Sequence, residues 1–179
     1  MPTPKISERI DLDFLRTHLD NLDLNNNDDL NFWLYCKIAM RTGLRSVDIL
    51  KLRVSDIRFQ QKTATVMEQK TKKKIIVPLD FMVLNQIDLD REFVIWNEKY
   101  GSRVSLMTIN RRLKKIFKNE DTNVSSHSIR KSCAQIVYEK SGFNIIEAML
   151  FLNHSDTKTT MNYMGLNEEK RFATYSYLD

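Results

Sequence analysis

The chain has 179 residues, 42% hydrophobic and 28% charged, which is enough for one well-buried core in an ordinary globular domain. Its 28 Lys and Arg against 23 Asp and Glu leave a net charge of +5, which favours a polyanionic partner only weakly. No apolar run approaches the ~18 residues needed to span a bilayer, and residues 1–9 lack the apolar core of a secretion signal, so a cytoplasmic protein with no membrane partner is expected.

Residues 7–20 place Ile10, Phe14, Leu15 and Leu19 at helical spacing, and a polar break follows over 25–29. The next helix is expected over 30–41. Its Phe32, Trp33, Tyr35, Cys36, Ile38, Ala39 and Met40 are apolar on every side, which predicts a helix central to the core. Gly43 then ends it by allowing a left-handed residue, and Ser46 is placed to cap a short helix over 47–52. Three strand-like runs follow, at 54–59, 63–68 and 74–77. The polar residues 60–62 and the Lys-rich residues 69–73 join them, so two hairpins in a three-stranded antiparallel sheet are predicted, closed by Pro78. Helices return at 80–88, 91–98, 105–118, 126–140, 144–152, 156–164 and 167–177. Cys36 and Cys133 both fall in apolar helical stretches and read as buried free thiols of a reducing compartment.

The basic residues concentrate at 70–74, 111–118 and 130–131, while acids crowd the first 30 residues. Against that background Arg45, Lys70, His127, Arg130, His154 and Tyr163 form a set of cations and an oxygen nucleophile, suited to attack on a phosphodiester without a metal. Arginine donates two parallel hydrogen bonds and keeps its proton near neutral pH, as a transition state with charged nonbridging oxygens requires. His127 and Arg130, three residues apart on a helix, leave the same face. Each signal alone has an ordinary reading. A Gly-Leu-Arg turn is common, an HxxR pair is usually a surface pair, and His154 would serve as a cap or core histidine. Tyr163 would be packing with a wet hydroxyl, and the lysines at 70–74 a solvated hairpin tip.

Their order resembles the catalytic domain of the tyrosine recombinase, or phage integrase, family. TGLRSVDILKL carries the family's first arginine at Arg45, with an acidic partner at Asp48. EQKTKKKIIVPL resembles the lysine hairpin, and counting eight residues back from Pro78 selects Lys70. HSIRKS supplies the HxxR box as His127 and Arg130, and LNHSDTKTTMNYMG resembles the family's LGHSxxxTTxxY segment, with His154 and the nucleophile Tyr163. The likeness spans about residues 7–165. It departs from the family pattern at Asn153, which stands where a glycine is usual.

The resemblance implies a mixed α+β, mainly α fold with a small three-stranded antiparallel sheet. One catalytic domain over residues 1–179 is expected, either an excised catalytic fragment or a naturally short recombinase, and it departs from the family in having no separate N-terminal core-binding domain. The resemblance further implies a site-specific DNA recombinase that cleaves and rejoins DNA through a 3′-phosphotyrosyl intermediate on Tyr163. Arg45, Arg130 and His154 would hold the phosphate, Lys70 would protonate the leaving 5′-oxygen, His127 would assist proton transfer and Asp48 would orient an arginine. No cofactor or metal is implied. The implied partners are a double-stranded DNA recombination site, further copies of the chain in a homotetramer on DNA, and accessory DNA-bending proteins. The chain would be bacterial, or phage-encoded and acting in the host cytoplasm. The alternatives are DNA relaxation of the type IB topoisomerase kind and a non-catalytic DNA-binding accessory protein.

Overall fold

The computed structural model describes residues 9–118 and 123–166, and the helix expected over 167–177 lies outside them. Its helices are α1 (Leu12–Asp20), α2 (Asn27–Thr42), α3 (Ser46–Ile49), α4 (Phe81–Leu84), α5 (Leu106–Ile116), α6 (Ser126–Lys140), α7 (Ile145–Phe151) and α8 (Thr157–Met164). Strands β1 (Ile57–Arg58), β2 (Thr63–Met67) and β3 (Lys74–Pro78) form an antiparallel sheet in that order, and β4 (Trp96–Asn97) pairs with β5 (Ser102–Arg103).

As its composition requires, α2 is the central helix, with Phe32, Trp33, Leu34, Tyr35, Cys36, Ile38 and Ala39 all buried. Asn26 caps its start by accepting from the amides of Asp28 and Asp29, and Gly43 ends it at φ 61°. The sheet lies on one flank of this core. Its register pairs Ala64 with Val77 and Val66 with Ile75, so the buried residues Ala64, Val66 and Val77 share the inward face. Elsewhere around this core α6 packs against α2, α5, α7 and α8. A small second core of Ala134, Ala148, Leu152 and Met164 binds α7 and α8 to α6. Both cysteines are buried and free.

Three expected elements differ. The run over 54–59 is a 3-10 turn, Val54–Asp56, followed by the two-residue β1. The Asp56 carboxylate accepts the Arg53 amide at 3.0 Å, a local bond that draws the backbone out of strand geometry. The helix expected over 80–88 lasts one turn. The helix expected over 91–98 is absent. Instead Val54 donates to the Glu92 carbonyl at 3.1 Å and Val94 to that of Leu52 at 3.0 Å. Beyond them Asn31 acts as a surrogate strand, its amide nitrogen donating to the Trp96 carbonyl at 2.6 Å and its oxygen accepting the Trp96 N–H at 2.9 Å. Gly101, at φ 54°, makes the tight reversal into β5.

Candidate active site

The end of α2 and the start of α3 place Arg45. A left-handed Gly43 turns the chain so sharply that a Cβ there would lie 2.6 Å from the Phe151 ring and 2.8 Å from the Phe151 carbonyl oxygen. Glycine is therefore required at this position both for backbone freedom and for the close approach of α7. Arg45 follows as the N-cap of α3, and its side chain forms an ion pair with Glu68 at the end of the first strand of the lysine hairpin.

Sequence reasoning did not single out Glu68, yet its carboxylate is 1% exposed and joins three segments. One oxygen receives the Arg45 guanidinium. The other receives the Thr71 hydroxyl and the Asn153 side-chain amide, each at 2.6 Å. The orienting place expected for Asp48 is thus occupied by Glu68. Asp48, itself buried, instead accepts the Gln69 backbone N–H at 2.9 Å with one oxygen, and its other oxygen has no hydrogen-bond partner among the described residues. Burial pushes the Asp48 carboxyl above the usual range, while the Gln69 N–H opposes the shift.

Arg130 rises from the first turns of α6, a helix started by a reciprocal capping pair between Ser125 and Ser128. Its Nε donates to the Gly43 carbonyl and one terminal nitrogen to the Leu152 carbonyl, both at 2.6 Å. Part of the fork expected to face two phosphate oxygens is therefore committed to the protein's own backbone. These two bonds tie the ends of α2 and α7 to α6. The guanidinium also lies 5.5 Å from the centre of the Tyr163 ring.

Tyr163 is carried by α8, whose start Asp156 caps through the Thr159 amide. Its hydroxyl reaches the His127 carbonyl oxygen at 3.3 Å, and its ring meets that of His154 edge-on with centroids 5.5 Å apart. Burial raises its pKa, and the Arg130 guanidinium draws it back. His154 follows Asn153, a left-handed residue at φ 47° between α7 and α8. Asparagine tolerates that conformation better than most residues, which explains how it stands where the family favours glycine. The Nδ1 of His154 lies 3.1 Å from the hydroxyl of the buried Thr160, which in turn donates to the Asp156 carbonyl at 3.1 Å. With that hydrogen so used, Nδ1–H donates to Thr160 and the tautomer is fixed by α8 itself. Burial, then Arg130, Arg45 and Lys70, lower the His154 pKa to about 4. The pKa of His127 is also lowered, by packing and then by Arg130 and Arg45, so both imidazoles are neutral near pH 7.

The exposed Lys70 sits at the hairpin tip. It shares an open cavity of about 320 Å³ with Arg45, His127, Val47 and Gln69. A neighbouring cavity shares Val47 and Gln69 with it and extends the surface to Lys51 and Arg103. The six residues expected at the site therefore gather from α3, the hairpin, α6, the α7–α8 turn and α8 around one cationic opening. Among the described residues no three His, Cys, Asp or Glu side chains gather as a metal site. None of the described helices is long and apolar enough to cross a membrane.

The sequence model of the phage integrase family matches residues 9–170. The chain belongs to the phage integrase family. A probable integrase/recombinase of Acholeplasma phage L2 is 25% identical over 174 residues, covering 92% of this chain and 59% of that protein. A probable integrase/recombinase of Bacillus subtilis, YoeC, is 26% identical over 160 residues, covering 85% of this chain and 86% of its own. The fold is that of tyrosine recombinase catalytic domains. The crystal structure of XerH site-specific recombinase bound to difH substrate superposes with a TM-score of 0.70 at 17% identity, over 100% of this chain and 56% of that one. A lambda integrase dimer bound to a COC′ core site gives 0.66 at 21% identity, over 90% of this chain and 60% of that one. The chain thus spans about three fifths of the length of the phage relative.

Proposed function

We propose that this chain is a catalytic domain that cuts and rejoins double-stranded DNA at specific sites, with Tyr163 as nucleophile. The observation that carries the reading is the position of the Tyr163 hydroxyl, 3.3 Å from the His127 carbonyl of its own chain, with Arg130 against its ring. A tyrosine used only for packing has no need of two arginines and two neutral histidines around it.

In the reaction the Tyr163 oxygen forms a bond to phosphorus and the bond to the 5′-oxygen breaks, giving a 3′-phosphotyrosyl link and a free 5′-hydroxyl. The tyrosine proton passes to neutral His127, whose lowered pKa leaves it able to accept. Lys70 gives a proton to the departing 5′-oxygen. Arg45 and the uncommitted part of Arg130 hold the nonbridging oxygens, beside His154. Rejoining is the reverse, so no bond energy is lost to water. Asp48 and Glu68 act on this set through the hairpin and Arg45. The partners are a double-stranded DNA site, further copies of the chain in a homotetramer on that DNA, and accessory DNA-bending proteins. The cations Lys51 and Arg103 continue the path of the backbone beyond the scissile phosphate.

The test uses a pool of nicked duplexes with randomised sequence around the nick, from which the short cleaved end diffuses away and traps the covalent complex. Recovery and sequencing of the adducts identifies the site, and peptide mapping identifies the tyrosine. An adduct on a residue other than Tyr163, or none on any duplex at saturating protein, refutes the proposal.

A further inference from the structure

Lys70 is flanked by two residues that buried carboxylates hold down. On one side the backbone N–H of Gln69 donates to Asp48, and on the other the Thr71 hydroxyl donates to Glu68. Within the hairpin the Lys72 amide donates to the Glu68 carbonyl and the Glu68 amide to the Lys73 carbonyl, both at 2.9 Å. The tip itself is exposed and Lys72 is left-handed at φ 57°, so few apolar contacts restrain it. Its placement depends on these polar anchors.

Glu68 does not hold the tip alone. The oxygen that receives Thr71 also receives the side-chain amide of Asn153, 85 residues away in sequence and next to His154. A carboxylate that is 1% exposed is stabilised by every acceptor site that is filled, and the Asn153 amide fills one of them from across the site. Glycine at position 153 would adopt the left-handed turn more easily, but it would leave that acceptor unfilled. The side chain of Asn153 therefore does something the turn does not need.

We propose that Asn153 and Glu68 are positioning residues for Lys70: through Thr71 they fix the hairpin tip relative to the His154 turn, so that the lysine waits at the height of the leaving oxygen. The inference rests on the reading of Lys70 as the acid. In this role Asn153 acts only through Glu68.

Two substitutions at 153 separate this from a role in the turn. Asn153→Gly keeps the left-handed backbone and removes the amide, whereas Asn153→Asp keeps the tolerance for that backbone and sets a second carboxylate against Glu68. Hydrogen–deuterium exchange on the free chain reads the anchor without any DNA. In both variants the amides of residues 69–73 should exchange at least ~10-fold faster, while those of α6 and α8 stay at their wild-type rates, because only local opening is made easier.

The second readout is cleavage of the selected duplex, carrying either a normal 5′-oxygen or a 5′-thio leaving group. With the oxygen, Asn153→Gly should be slowed about 10-fold, within the ~100-fold that a 1 Å misplacement of a catalytic group can cost. With the thio group, which leaves without a proton, the deficit should shrink to less than about twofold. Unchanged exchange at 69–73, faster exchange spread through α8, or an equal deficit on both leaving groups would each overturn the proposal. A chain that cleaves no duplex would refute the reading of the site, while the exchange measurement would still decide the anchor.

Discussion

Replacing Arg130 by lysine keeps the charge and removes the geometry. In the wild type Nε and one terminal nitrogen serve the Gly43 and Leu152 carbonyls while the same guanidinium faces Tyr163, three tasks at three angles. An ammonium on a flexible stem can hold one of those carbonyls but not both, and not while meeting the phosphate. Hydrogen bonds to charged groups contribute ~1.5–3 kcal/mol each, so losing one at this buried position should lower stability by about 2 kcal/mol. The loss of a transition-state donor adds ~2.7–4 kcal/mol to the barrier, or about a hundredfold to a thousandfold in rate. Urea unfolding should show a lower midpoint at unchanged slope. Adduct formation on the nicked duplex, assayed where the variant is fully folded, should be at least a hundredfold slower. Near-wild-type cleavage with a lowered midpoint would show that Arg130 serves only to join α2 and α7. An unchanged midpoint would show that the two carbonyl bonds contribute little to stability, and would refute this reasoning.

Tyr163→Phe should abolish the adduct while changing DNA affinity less than twofold, since one hydroxyl is lost and the cations remain; an adduct that persists refutes the assignment. Gly43→Ala should cost ~2–5 kcal/mol, from left-handed strain of ~1–2 kcal/mol and overpacking against the Phe151 ring and carbonyl of ~1–3 kcal/mol. A loss below about 1 kcal/mol by urea unfolding would mean that α7 gives way. Lys51→Ala and Arg103→Ala should each reduce the slope of log affinity against log salt by about one, as one phosphate contact does; an unchanged slope places the backbone elsewhere. His154 titrates near 4 when folded and near 6.5 when unfolded. Between those values the unfolded chain binds more protons, so this group lowers stability as pH falls from 6.5 to 4. Thermal midpoints of the wild type should therefore drop more steeply over that window than those of His154→Gln, and parallel curves would refute the shift.

The sequence carried the helices whose signals are local. The apolar stretch of α2, the glycine that stops it and the HxxR face of α6 all report on residues within one or two turns. The six side chains proposed for the site could be singled out for a related reason: each lies in a short motif whose neighbours fix its local backbone. What the sequence could not show is what those motifs touch. Residues 91–98 read as helical because Val94, Ile95 and Trp96 suit a buried helix as well as a strand, and the choice was made by Asn31, a partner 65 residues from Trp96. Glu68 read as the end of a strand, with nothing nearby to mark it. Its importance comes from being buried, since a carboxylate out of water must collect donors from wherever the fold supplies them. The fold supplies them from Arg45, Thr71 and Asn153. A departure from a family motif, visible in sequence only as an asparagine in place of a glycine, is thus coupled to a glutamate that sequence had left unremarked. The two form one contact between the hairpin and the His154 turn, so a substitution at either position should be judged with the other in view.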